Sequence, residues 1–140
     1  MTKEVLIAIS GLQFELDTEE AVEVISRGQY YKKNGKHYIT YEEMDEGSPG
    51  QLTKSTIKIS SDQVDMIRNG QSRVHMVFAR GQNNLAYYNT PFGQMLMGIH
   101  TREIELYEED KEILVKLYYS LELNYSHISD CEVAIRISSV

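Results

Sequence analysis

The stretch that decides the fold is ILVKLYYSLEL, residues 113–123. Ile113, Val115 and Leu117 alternate with a set that includes Lys116 and Glu122, and the alternation runs through the whole stretch. A period of two residues predicts a β-strand with one buried face and one solvent-exposed face. The stretch CEVAIRI, residues 131–137, repeats the pattern, so two successive strands are clearly predicted.

Working outward from these strands, shorter alternating runs cover most of the chain. They predict strands near residues 5–9, 21–31, 39–43, 54–59, 64–68, 74–78, 85–90 and 95–101. The dipeptides Asn34-Gly35 and Asn69-Gly70 favour tight hairpins between neighbouring strands. Ser48-Pro49-Gly50 and Gly81–Asn84 are turn signals, and Pro91 marks a bend or a strand start because it cannot donate to a ladder.

We therefore predict an all-β fold, a single antiparallel up-and-down β-barrel of about 8–10 strands. Sequential hairpins favour a meander, and pairing of its two ends would remove exposed edges. One domain covering residues 1–140 is expected from this length. Short helical turns are expected only at residues 17–20 and 107–111.

Composition excludes some functions. The formal net charge is −7, which disfavours a nucleic-acid partner because phosphate binding needs a basic field. Cys131 is the one cysteine, so no internal disulfide forms, and a buried free thiol is expected. No apolar run reaches the roughly 20 residues of a membrane span. The N-terminal segment resembles a strand rather than a signal peptide, and we expect a cytoplasmic protein.

Several segments together resemble the YwiB-like family of small bacterial proteins. They are YYKKNGKHYI at 30–39, YEE at 41–43, IRNG at 67–70, MVF at 76–78, YNTPFG at 88–93 and YSL at 119–121. The resemblance spans nearly the whole chain and keeps the order of the segments. It implies a calycin-like, lipocalin-like barrel, but no activity, because the family is a domain of unknown function.

Polar side chains at inward positions are the candidate ligand contacts. Arg68 is in phase with Val64 and Met66, and Glu43 is in phase with Tyr41. Inward charges are costly unless paired, and an arginine suits a carboxylate or phosphate. The alternatives are that both residues reach solvent from strand ends or form a structural ion pair.

Further candidates follow the same phase argument. Thr101 and Tyr119 fall among inward aliphatic residues, and Tyr88 and Thr90 border the Pro91 bend. The bend has a simpler explanation, which is local hydroxyl-to-backbone bonding. Ten tyrosines against three phenylalanines suit barrel rims or pockets, although β-propensity alone also accounts for them. The tentative ligand-binding set is Tyr41, Glu43, Arg68, Tyr88, Thr90, Thr101 and Tyr119.

No catalytic, metal or cofactor motif is visible. His37, His75, His100 and His127 lack metal-ligand spacing, and all are expected to be exposed. We therefore expect no metal and no cofactor, and an enzyme is the less favoured class.

The leading hypothesis is a small cytoplasmic barrel that binds an apolar or amphipathic small molecule in its interior. The alternative is a packed barrel that acts as a structural or protein-interaction module without a small-molecule ligand. Nucleic acid and a membrane span are not expected, and homo-oligomer formation stays open.

Overall fold

The computed structural model describes residues 1–11, 23–44 and 50–140. All of its regular structure is β-strand, and the described residues contain no helix. The strands are β1 (Glu4–Ser10), β2 (Glu23–Lys33), β3 (Lys36–Met44), β4 (Leu52–Ile59), β5 (Gln63–Asn69), β6 (Arg73–Ala79), β7 (Asn83–Thr90), β8 (Gly93–Glu108), β9 (Glu112–Leu123) and β10 (Ser126–Ser139).

The strands form one closed antiparallel barrel in which each strand pairs with its neighbours in sequence. β1 completes the ring by pairing with β10, from Val5 opposite Ser139 to Ser10 opposite Ala134. The predicted all-β class, the antiparallel meander and the closure are therefore confirmed. We call the end with the β3–β4, β5–β6, β7–β8 and β9–β10 connections the upper end, and the opposite end the lower end.

The predicted hairpin chemistry is present at the lower end of β2 and β3. Asn34 and Gly35 both have positive φ, 53° and 77°, as a type I′ turn requires. Pro91 lies between β7 and β8, as expected. The helical turn expected at 107–111 is wrong, because Tyr107 and Glu108 extend β8 and the Glu109 amide donates to the Glu112 carbonyl in a hairpin turn. The turn at 17–20, residues 21–22 of the second predicted strand, and Ser48-Pro49 lie outside the described residues.

The barrel interior is filled by side chains over most of its length. Phe78 of β6 packs edge-on against Tyr119 of β9 with ring centroids 4.9 Å apart. A void that admits water would expose the atoms around it, so no such void adjoins a side chain with 0% exposure. The aliphatic side chains with 0% exposure are Val5, Ile7, Ile39, Ile59, Val64, Val115, Leu117, Val133, Ile135 and Ile137.

One seam in the wall is weakly paired. β6 and β7 pair at a single position, Arg73 opposite Asn89, whereas every other adjacent pair of strands shares six or more positions. The lower end of the seam is held by the hairpin turn, where the Gln82 amide donates to the Ala79 carbonyl over 3.0 Å. Between these two fixed points the facing edges of β6 and β7 form no regular ladder.

Candidate functional site

Three predicted or in-phase polar side chains form a row across the inner wall. Tyr41 of β3 lies opposite Ser55 of β4, and Ser55 lies opposite Arg68 of β5. Gly28 of β2 completes the row on the other side of Tyr41. A Cβ at Gly28 would lie 2.5 Å from the Thr40 carbonyl oxygen, so only glycine fits there.

A second row lies one step closer to the upper end. Glu43 of β3 is opposite Thr53 of β4, and Thr53 is buried. The Glu43 Oε2 and Arg68 Nη2 atoms are 3.7 Å apart, and both side chains are 28% exposed. The two charges therefore approach each other as an ion pair at the upper end, which is one of the alternatives to a ligand contact, and they keep contact with water.

Tyr41 is the most strongly perturbed group of this polar wall. Burial, followed by the nearby Glu43 carboxylate, raises the pKa of Tyr41 to about 12, and Arg68 offsets part of that rise. The Ser55 hydroxyl is close enough to Tyr41 to lower the pKa of the phenol. Among the described residues, however, Ser55 Oγ is buried without a hydrogen-bond partner. The wall thus has an unused hydroxyl beside a neutral phenol.

The opposite wall at the upper end is apolar. In the ring of ten strands, β3, β4 and β5 are diametrically opposed to β8, β9 and β10. Met97 of β8 and Leu123 of β9 face each other there, and Leu121 and Met95 adjoin them on the inner face. The upper mouth is therefore amphipathic, with hydroxyls and charges on one wall and thioethers and aliphatic groups on the other.

Tyr88 and Thr90 lie at the same end as Glu43 and Arg68. Tyr88 is partly buried against the core. The Thr90 hydroxyl donates to the Gly93 carbonyl over 2.9 Å and accepts a hydrogen bond from the Phe92 amide over 3.2 Å. Thr90 thus makes the local bonds that were the simpler explanation of the bend.

The other two predicted contacts, Thr101 and Tyr119, lie away from the mouth. They face each other across β8 and β9, and they are 0% and 1% exposed. Burial, and then neighbouring Cys131, raises the pKa of Tyr119. Thr101 Oγ1 is buried without a hydrogen-bond partner. These residues belong to the packed interior, where Cys131 is the expected buried free thiol.

The lower end carries a polar chain that the sequence analysis missed. Tyr30 Oη is 2.7 Å from His37 Nδ1, and His37 Nε2 is 2.6 Å from Glu108 Oε1. β3 and β8 lie five positions apart in either direction around the ring, so this chain crosses the barrel. It closes the lower end.

The expectation that His37 is exposed is wrong, since His37 is 5% exposed, whereas His75, His100 and His127 are exposed as predicted.

One clue in the sequence bears on this crossing. His37 is in phase with Ile39 and Tyr41, which indicates an inward side chain. Glu108 gives no such signal. A β-bulge between Thr101 and Glu103 shifts the phase of β8, so Ile104 and Leu106 continue the inner face that Met97 and Ile99 began.

Other features of the surface are less suited to a site. A groove of about 630 Å³ crosses the wall over β1–β4, where exposed side chains of both signs, including Arg27, Glu42 and Lys54, surround it. The buried residues Tyr41 and Ser55 also contribute to its lining. Among the described residues, no three His, Cys, Asp or Glu side chains converge as metal ligands. The described part of the chain has no helix long and apolar enough to cross a bilayer.

Comparison with known proteins places the chain in a sequence family. Residues 7–135 match the family described as "Domain of unknown function (DUF1934)". The chain is 26% identical over 113 residues to the "Uncharacterized beta-barrel protein YwiB" of Bacillus subtilis, covering 80% of this chain and 73% of that protein. The crystal structure of the ywiB protein superposes with a TM-score of 0.76 at 20% identity, covering 98% of this chain and 90% of that one.

The raised pKa of Tyr41 predicts a pH dependence of folding. The unfolded chain ionises this phenol near pH 10 and the folded chain near pH 12. The contribution of Tyr41 to the free energy of unfolding is therefore fully present below pH 10, and it declines by about 2–3 kcal/mol as the pH rises to 12. Urea unfolding of wild type and Tyr41→Phe at several pH values measures this decline. An equal alkaline decline in both proteins would contradict the assignment.

The crossing at the lower end predicts a stability role for His37. His37→Ala removes both hydrogen bonds of a buried ring, and we expect a loss of about 1–3 kcal/mol in the free energy of unfolding. His75→Ala is the matched control, because that imidazole is exposed on the outer wall beside Asp65. Chemical denaturation measures the free energy of unfolding of the two variants. Equal losses would show that the hydrogen bonds of His37 across the barrel do not stabilise the fold.

Proposed function

The chain belongs to the family of domains of unknown function DUF1934, and we propose that it is a non-enzymatic protein that binds a small amphipathic molecule at the upper mouth of its barrel. The observation that carries this proposal is the inward row of Tyr41, Ser55 and Arg68, in which a buried hydroxyl has no partner within residues 1–11, 23–44 and 50–140. A buried polar atom without a partner costs about 1–3 kcal/mol, so a ligand atom that bonds to it is stabilised.

The chemistry of the polar wall defines the head group of the ligand. Arg68 offers a planar donor fork for an anionic oxygen, such as that of a carboxylate or a phosphate. Glu43 beside it accepts a hydrogen bond, and the hydroxyls of Thr53 and Ser55 do both. A head group with an anionic oxygen and a neighbouring donor satisfies this wall.

The chemistry of the apolar wall defines the rest of the ligand. Met97, Leu121 and Leu123 accept an aliphatic or ring system, and methionine adapts to irregular shapes. Because the core below has side chains without exposed surface, the apolar part is short and does not extend along the barrel axis. This restricts the leading hypothesis from the whole interior to the mouth.

The alternative is a packed barrel that acts through its outer surface alone. The fully buried aliphatic core supports that alternative, since a solid interior holds nothing. The two functions differ in one observable, which is whether a small molecule accompanies the native protein.

Native mass spectrometry of protein purified without denaturation from its own host tests the proposal. We expect a bound species of small mass. As a defined probe, 3-hydroxyhexanoate has an anionic oxygen, a neighbouring hydroxyl donor and a short apolar chain, and it should bind to the protein freed of that species. Arg68→Ala should weaken 3-hydroxyhexanoate binding about tenfold or more, because a hydrogen bond to a charged group is lost. Arg136→Ala is the matched control, since Arg136 pairs with Glu112 at 2.6 Å on the outer wall.

Two outcomes would contradict the proposal. Wild type that carries no small molecule and does not bind 3-hydroxyhexanoate would favour the packed module. Binding that Arg68→Ala and Arg136→Ala leave equally intact would move the site away from the mouth.

A further inference from the structure

Two tyrosines form a stacked pair on the outer wall near the lower end. Tyr31 of β2 lies opposite Tyr38 of β3. Their ring centroids are 4.9 Å apart, and the angle between the ring planes is 1°. On the other side of Tyr38, Lys58 of β4 places its Nζ atom 5.9 Å from the centroid of that ring. Tyr38 is thus flanked on both sides, whereas Tyr31 is 49% exposed and presents a fixed aromatic surface to solvent.

Three lysines accompany the stacked pair on the same outer face. Lys33 and Lys36 lie directly opposite each other at the β2–β3 hairpin, and like charges in that position destabilise a sheet. Lys58 is the third. In the part of the chain that the structure describes, every ion pair is formed by an arginine or a histidine, and none uses a lysine. An anion held between these ammonium groups would relieve their repulsion. We call the two tyrosines and the three lysines the aromatic–lysine patch.

A polar hollow lies between two lysines of the patch. It has a volume of about 120 Å³, room for about four water molecules and so for a phosphate group. Its polar lining consists of Lys36, Tyr38, Lys58, Ser60, Gln63 and Asp65. The Asp65 carboxylate accepts a hydrogen bond from Gln63 Nε2 over 2.8 Å and lies 2.8 Å from His75 Nε2. Asp62, in the adjoining turn, accepts a hydrogen bond from Ser60 Oγ over 3.2 Å. Both nearby carboxylates therefore have partners of their own, and the ammonium groups are left for an anion.

The negative charge of the chain is concentrated on the opposite wall. Residues 24–41, which form most of β2 and β3, contain four cations and no Asp or Glu, whereas six carboxylates lie between Glu103 and Glu112. β8 is five positions from β3 in either direction around the ring. Ten strands spaced about 4.8 Å apart make a barrel about 15 Å across. That is nearly twice the Debye length of about 8 Å at physiological ionic strength. Glu108 reaches β3, but its carboxylate bonds to His37 from the inner face. The net charge of −7, which disfavours nucleic acid for the chain as a whole, therefore does not describe this patch.

From these observations we infer that the aromatic–lysine patch binds single-stranded nucleic acid, with a base stacked on Tyr31 and the adjoining phosphates held by the three lysines. Single-strand sites combine cations that follow the backbone with aromatic rings on which bases stack. The stacked rings favour this polyanion over an anionic lipid surface, because a fixed flat ring matches a nucleobase. The patch lies on the outer wall near the lower end, so this activity is separate from binding at the upper mouth.

Fluorescence anisotropy of the full chain with labelled octauridylate and octathymidylate at low salt tests the inference. We expect wild type to bind both probes. The logarithm of the association constant should fall with the logarithm of the NaCl concentration with a slope of about −2, since each of three phosphate contacts contributes about −0.7, and Lys58→Ala should reduce the slope to about −1.4. Tyr31→Ala should weaken binding about tenfold, whereas Tyr31→Phe keeps the ring and should bind like wild type.

Tyr107→Ala is the matched control, because Tyr107 is 53% exposed on the acidic wall, bonds to Glu105 and should leave binding unchanged. Far-UV circular dichroism confirms that each variant is folded. A wild type that leaves both probes free at low salt would overturn the inference. Equal binding by wild type and Tyr31→Ala would also overturn it, since the patch would then hold phosphates without a base. So would a wild type that binds phosphatidylglycerol vesicles in place of the oligonucleotides.

Discussion

The pairing of β1 with β10 is the constraint on which the other features depend. Without it the meander is an open sheet, whose apolar face has no opposite wall to pack against. Closure gives the barrel one interior, and the period of two then assigns every strand residue to the inside or the outside. An inward polar residue must therefore reach an end of the barrel, find a partner, or stay buried unsatisfied.

All three outcomes occur in this barrel. Glu43 and Arg68 lie near the upper end, where each remains 28% exposed and the other is its partner. At the lower end, His37 is buried and is satisfied on both ring nitrogens by Tyr30 and Glu108. Ser55 stays buried without a partner in the part of the chain that the structure describes. The two ends thus differ chemically, since one is closed by its own side chains and the other presents unused polar groups.

The sequence sufficed for the fold because alternation and hairpin signals act locally. Strand phase also placed Tyr41, Glu43 and Arg68 together, and the same phase argument applied to residues 53 and 55 would have added the two hydroxyls of β4. Strand phase does not predict which side chains contact each other across the barrel. The bond between His37 and Glu108 depends on ring closure and on a bulge in β8 that sequence alternation does not reveal. The weak seam between β6 and β7 is hidden for the same reason, since both strands alternate normally.

The central claim is that the barrel is solid below the row of Tyr41, Ser55 and Arg68 and receptive only above it. A crystal structure determined under xenon pressure measures this directly, because xenon enters dry apolar cavities. The account predicts no xenon site within the core around Ile7, Val115 and Ile135. A xenon atom enclosed by those side chains would contradict it, because the barrel would then be hollow along its axis.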